Sequence, residues 1–451
     1  MQNKHHIIAL ALGLGIAFAR PVAAQVEPGA EGGQNPGEGT QMMTPPPVSG
    51  MTYPTIGATD ERRNYIEPAV GGTVGYVNNI LPSLNAPPQG ASSYAVAPSL
   101  SVNRTTTRQH VHVQYNPIFT FYEPSSVSVL DAVDQSALVE YQNHPSPYLA
   151  INVDDYFART SNVFNGSYPF SQGGLTGGLQ NPGAAAIAPF AQQLSDTADA
   201  GLAYQFGRNA MVGASGSYAN FKLLDPGEAN GLDNSHGGGG SAFYDRRIAA
   251  MQYLGLSYEY DRTLAGPSTT EVDAKLQTIL PFYTLYLTSR LSCSLSGGMQ
   301  YVVVEQPTKP TANSWQPAGA VSMGWQGNRG AVSANYLHTI TTGKGVAGAY
   351  NSDSVNGIGT WNFNRKWVAR VEVSYTTLNA FTQLANFPAQ SGNSYAIWSS
   401  LHHDFNDNLT LEGGYERLHQ NFAGIPVITE NPDSDREFVT VTYRFQKQLG
   451  R

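Results

Sequence analysis

The chain holds a single cysteine, few charged residues, and no long apolar run beyond its first two dozen residues. Each shortage excludes something. With Cys293 alone, no intramolecular disulfide can form. That residue reads as a small buried or lumen-facing side chain ahead of a reactive thiol. Charged residues make up 13% of the sequence, well under the usual quarter. No run beyond the leader approaches the ~18 apolar residues of a spanning helix, and the mean hydropathy is −0.27. Transmembrane helices are therefore excluded as a membrane mode. Only helices and closed barrels satisfy every backbone group in lipid, so if this chain crosses a membrane it does so as a barrel. Motifs for chemistry are also missing. No G-x-S-x-G elbow is present, and the Gly13–Gly15 stretch belongs to the leader rather than to a phosphate loop. No EF-hand spacing exists either. No cofactor, no metal and no enzyme activity are expected, although catalytic groups drawn from separate barrel strands would escape a motif search.

The ends carry an address. Lys4 supplies a charged n-region, Ile7 to Phe18 an apolar core, and Val22-Ala23-Ala24 a small-residue cleavage site. Residues 1–24 read as a secretory signal peptide cleaved near Ala24. Its loss removes Lys4 and Arg20 and no acid, so 23 basic residues face 33 acidic ones and the charge moves from −8 to −10. That acidity speaks against nucleic acid or an anionic surface as partner. Residues 25–70, rich in Pro, Gly, Gln and Glu at their start, read as a periplasmic linker. Residues 71–451 read as the folded unit.

What that unit contains is one pattern repeated. An alternating strand of about ten residues meets a short polar turn, a second strand follows, and then a longer loop. About 9–11 tilted residues cross a bilayer core. Trp361-Asn362-Phe363-Asn364-Arg365-Lys366-Trp367 and Leu401-His402-His403-Asp404-Phe405-Asn406-Asp407-Asn408-Leu409 show two of the turns. About eighteen strands are expected, closed as an all-β, transmembrane, antiparallel up-and-down barrel. The Asn78-Asn79 pair reads as a turn, and Pro281 with a slip of parity near Ile279 as a bulge. The glycine run 237–240 reads as part of a mobile loop spanning 225–240.

The faces follow from parity. Val371, Val373 and Tyr375 alternate with Arg370, Glu372 and Ser374, and Leu254, Leu256 and Tyr258 with Gly255, Ser257 and Glu259. An Arg or Lys facing lipid at mid-membrane costs about 2–4 kcal/mol, so the charged set is expected inside. A β-sandwich would alternate too, but has no need of tyrosines at matching ends of its exposed apolar faces.

Gly75-Tyr76-Val77-Asn78-Asn79, Ala97-Pro98-Ser99-Leu100-Ser101, the polar-turn hairpins and the terminal Tyr443-Arg444-Phe445 resemble bacterial outer-membrane β-barrel proteins of the porin type. The likeness covers about residues 71–446. It implies a Gram-negative outer-membrane location, lipid as surroundings, and assembly machinery that reads the C-terminal strand. In one respect the chain departs from such proteins, which often end on that aromatic residue: Phe445 is followed by six more residues.

The expected pore-lining set is His110, His112, Glu140, Asp154, Glu259, Asp261, Arg370, Glu372, Glu412, Glu416 and Arg444. A polar, mixed-charge lumen of this kind points to passive diffusion of small hydrophilic solutes, with the acid excess favouring cations. A plugged barrel whose charges only neutralise one another stays open. So does a structural or adhesive barrel, and a barrel-embedded hydrolase. The long connection 160–196 is either an inward-folded constriction or a surface loop. Adjacent His402 and His403 face opposite sides and so cannot share one cluster with Asp404.

Overall fold

The computed structural model describes residues 64–79, 90–123, 132–161, 192–207, 209–224, 233–266, 271–288, 290–307, 309–341, 349–380, 391–423, 433–445 and 447–449. The expected loop 160–196 falls almost wholly outside these residues, as do 225–232 and the leader.

Eighteen strands form a closed antiparallel barrel. They are β1 Tyr65–Val77, β2 Ala91–Thr105, β3 Gln109–Glu123, β4 Ala132–Ser146, β5 Leu149–Thr160, β6 Gln193–Gln205, β7 Ala210–Leu223, β8 Ser235–Ala249 and β9 Gln252–Ala265. There follow β10 Val272–Thr288, β11 Leu291–Gln306, β12 Lys309–Gln326, β13 Gly330–Thr341, β14 Tyr350–Asn362, β15 Trp367–Ala380, β16 Gly392–Asp404, β17 Leu409–Phe422 and β18 Asp433–Arg444. Each strand pairs with the next, and β18 returns to β1. A two-residue β19, Lys447–Gln448, continues the seam along Tyr65 and Ile66. Among the described residues no helix is long and apolar enough to cross a membrane.

Two of the polar turns are closed by an asparagine side chain. In Phe363-Asn364-Arg365-Lys366, Asn364 Oδ1 accepts from the Lys366 and Trp367 backbone N–H groups, at 2.8 and 3.0 Å. In Phe405-Asn406-Asp407-Asn408, Asn406 Oδ1 does the same for Asn408 and Leu409, both at 2.9 Å. The side chain replaces a backbone acceptor and closes the hairpin in four residues. The first residue of β1 and the last of β18 lie at this short-turn end of the barrel.

Several expectations about individual segments fail. β1 begins at Tyr65, inside the span read as linker, because residues 65–70 pair with β2 and, from Ala69, with β18. The glycines 237–240 lie in β8, not in a loop. β10 keeps one register with β9 through Ile279 and Pro281; its irregularity lies between Tyr286 and Thr288, at the turn. Parity seemed to slip because β10 is apolar on both faces: Ile279 faces out while Leu276, Leu280 and Phe282 are buried inside. Cys293 shares the outward parity of exposed Leu295, so it is not a lumen residue. β12 starts at Lys309, with two residues between it and the end of β11 at Gln306.

Asn78 and Asn79 do not make a turn; they clasp the seam. Asn78 Nδ2 donates to Asp435 Oδ2 at 2.6 Å, Asp435 N donates to Asn78 Oδ1 at 2.8 Å, and Asn79 Nδ2 donates to the Asp433 carbonyl at 2.9 Å. Below them Thr73 and Thr440 share a hydroxyl bond at 2.8 Å. A hydrogen bond to a charged group contributes about 1.5–3 kcal/mol. Asn78→Ala is therefore expected to destabilise the barrel by about 2 kcal/mol, read as a lower urea midpoint in lipid vesicles. An unchanged midpoint would show that the clasp adds nothing to closure.

The outer face is apolar. Val371, Val373 and Tyr375 are 42–45% exposed, and Val439, Val441 and Tyr443 are equally open. From Trp367 to Tyr375 the outward side chains span eight residues, ~27 Å of strand, or about 20 Å of height at the usual tilt, near the ~25 Å band of outer-membrane barrels. At the long-loop end this band stops at polar clusters. Arg262, Asp273, Lys275 and Glu305 form linked ion pairs there, and Tyr336 and His338 both reach Asp353. These outward charges sit at strand ends, where the penalty for facing lipid falls toward zero.

Candidate functional site

The lumen wall divides into three sectors. All eleven residues expected inside have inward parity: His110 and His112 on β3, Glu140 on β4, Asp154 on β5, Glu259 and Asp261 on β9, Arg370 and Glu372 on β15, Glu412 and Glu416 on β17, and Arg444 on β18. They do not converge on one point.

The first sector is acidic. Cross-strand register runs His112↔Glu140↔Asp154↔Asp199, and continues Asp199↔Ser217↔Gly239↔Asp261. Asp154 feels repulsion from both Glu140 and Asp199, and Asp261 feels Asp199. The glycine in this row has a structural reason. A Cβ on Gly239 would collide with the Asp261 carboxylate, so only glycine lets that side chain lie over β8 toward β6. Glu259 lies buried one position along on the same face.

The second sector, on β15–β18, is balanced. Arg370 pairs with Glu372, and Arg436 lies 3.6 Å from Glu416 and 5.2 Å from the Phe438 ring centroid. His402 Nε2 meets Asp404 at 2.9 Å, whereas His403 turns outward and stacks on Trp367, centroids 4.2 Å apart. His402 and Asp404 thus share a face and His403 does not, as strand alternation requires.

The third sector is apolar, and an end of the barrel folds over it. β12 pairs with β13 only from Gly319↔His338 downward, although β12 continues to Lys309 along β11. Above that fork, Ile340 has the outward parity of Val332 and Tyr336 yet is 0% exposed. It clusters with inward-facing Val272, Leu276, Val302 and Val304. The upper end of β13 therefore lies inside the wall formed by β10–β12. Its unpaired edge is satisfied by a side chain: Ile340 N donates to Gln300 Oε1 at 2.7 Å, and Gln300 Nε2 donates to the Ile340 carbonyl at 3.3 Å. The Gln300 amide does there what a β12 residue would do lower down. Tyr350, opposite Thr341, is buried within electrostatic reach of Asp233, whose carboxyl burial pushes up. The hairpin end thus narrows the bore on this side.

Parity counting should also have found Asp199 and Arg436, along with Asp134 and Asp245. Outward Leu202 and Tyr204 place Asp199 inside, and outward Val439 and Val441 do the same for Arg436. Nothing local marked Gln300, because its role depends on where two other strands part. Among the described residues no group of three His, Cys, Asp or Glu side chains is arranged to hold a metal ion.

No protein-family model and no curated protein matches the sequence. Among solved structures the chain is similar to OpdQ of Pseudomonas aeruginosa at 11% identity, covering 85% of this chain and 98% of that one, with a TM-score of 0.40. It is similar to the FrpB iron transporter of Neisseria meningitidis at 10% identity, covering 85% and 82%, with a TM-score of 0.42. The ferric citrate transporter FecA, unliganded, matches at 10% identity and a TM-score of 0.41; the chain covers 60% of its length. Likeness at this level carries no argument about function.

Proposed function

We propose that this chain is an outer-membrane channel for passive diffusion of small hydrophilic solutes, with a preference for cations. The observation that carries the reading is the charge arrangement of the closed barrel. The outer face is apolar around its girth, while Glu140, Asp154, Asp199 and Asp261 follow one another along the inner wall. Charges are costly where lipid touches the wall and tolerated where water does. The opposite wall matches acids with Arg370 and Arg436, so the inner surface as a whole favours positive solutes. The leader, the short-turn end holding the strand termini, and the Tyr443–Phe445 end are consistent with delivery to the outer membrane, with lipid and the assembly machinery as partners. The test is purified protein in a planar bilayer under a salt gradient. Stepwise conductance with a cation-selective reversal potential is expected. A barrel that inserts without conducting would favour a plugged or structural role, and an anion-selective potential would reject the assignment of the acidic wall.

A further inference from the structure

We infer that the lumen wall carries a serine-hydrolase-type site, built from Ser101, His112 and Glu140, that takes a small water-soluble carboxylic ester. The three residues come from consecutive strands β2, β3 and β4 and share the inward face. His112 Nδ1 lies 2.8 Å from Glu140 Oε2, and His112 Nε2 lies 3.2 Å from Ser101 Oγ. A carboxylate can only accept, so Nδ1 carries the proton. The neutral ring then has its lone pair on Nε2, and the Ser101 hydroxyl donates to it. A nucleophile, its base and an acid that orients the base are thereby in sequence. His338, His402 and His419 also each hold a carboxylate on one nitrogen. Among the described residues, only His112 holds a serine as well. The His112 and Glu140 side chains are 20% and 35% exposed, so the lumen reaches them.

The chemistry balances with water as co-reactant. Ser101 Oγ attacks the ester carbonyl carbon as its proton passes to His112 Nε2, and Glu140 holds the resulting imidazolium through Nδ1–H. Collapse breaks the ester C–O bond; the departing alcohol takes the proton from Nε2 and leaves the acyl group on Ser101. Water then attacks the acyl carbon, giving a proton to Nε2. Breakdown returns that proton to Ser101 Oγ and releases the carboxylic acid. Backbone N–H groups of these strands are committed to the sheet, so the oxyanion donor has to be a side chain. Gln114, the inward cross-strand partner of Ser101, is the candidate. One amide is weaker than the usual set of preorganised donors, so slow turnover is expected. The inward placement rules out membrane lipid as substrate. Asp154 and Asp199, continuing the row beyond Glu140, disfavour anions, so the ester is neutral or cationic.

The test treats folded full-length protein in detergent micelles with a fluorescent fluorophosphonate, and separately with p-nitrophenyl acetate and acetylcholine. The expected results are a covalent adduct mapped to Ser101 by peptide mass spectrometry and slow hydrolysis of both esters. Ser101→Ala should lose both signals. His112→Gln and Glu140→Gln should each slow labelling at least about a hundredfold while keeping the heat-modifiable gel mobility of a folded barrel. No adduct on Ser101 in the folded protein overturns the inference. So does labelling that His112→Gln leaves unchanged, which would mark Ser101 as merely exposed. Because the readout is covalent, either result stands whether or not the barrel conducts ions.

Discussion

Replacing Asp154, Asp199 and Asp261 together by asparagine is expected to abolish most of the proposed cation preference. The three belong to one cross-strand row, and asparagine keeps their shape while removing their charge. A unit charge acting across ~8 Å of water contributes about 0.5 kcal/mol. Three together give ~1.5 kcal/mol, about a tenfold enrichment of cations near the wall. The reversal potential at 0.1 M salt should therefore fall toward zero in the triple variant. At 1 M salt the Debye length is only ~3 Å, so wild type and variant should converge. The opposite wall supplies the sign control. Glu372→Gln leaves Arg370 without its partner and should move the potential toward anions. Identical potentials for wild type and triple variant at low salt would mean that ions do not pass along this row.

An arginine introduced at Val373 is expected to cost about 2–4 kcal/mol of stability, whereas one at the next residue, Ser374, should cost little. Val373 is 42% exposed on the outer face, in the middle of the apolar band. Ser374 has the opposite parity and follows Glu372 on the inner face. Urea unfolding in lipid vesicles measures both. Equal midpoints for the two variants would contradict the assignment of faces and, with it, the inner placement of the whole charged set.

The two predictions rest on different amounts of sequence information. Val373 and Ser374 are assigned by counting along one strand, and the same counting placed all eleven expected residues on the inner face. Outward positions are apolar along most of each strand, so a single alternation separates the two faces. The counting misled where that alternation weakens. On β10 the inner positions are apolar too, since the end of β13 covers them, and the lost contrast looked like a bulge at Ile279. On β8 the inner positions include glycines, since β9 side chains need the space, and the strand looked like a loop. The Asn78-Asn79 pair carries a strong local meaning, a turn, that hydrogen bonding across the seam overrides.

The charged row itself was legible only as separate members. Glu140, Asp154 and Asp261 were each assigned to the lumen, but their alignment with Asp199 depends on register across six strands. The contact of Ser101 with His112 and Glu140 likewise requires three strands in a particular stagger.

The amino-acid sequence by itself thus determined the closed-barrel architecture, the approximate strand number, the positions of the short polar turns and the inward parity of the eleven residues read from it. All of these follow from a two-residue period read along one strand and from the cost of placing charge or unpaired backbone in lipid. The tertiary structure alone decided how the barrel closes through Asn78 and Asp435, where β12 and β13 part around Gln300, and which side chains meet across strands. These depend on stagger between strands, which no local period encodes. Packing on the inner face and closure of the last strand on the first set it together.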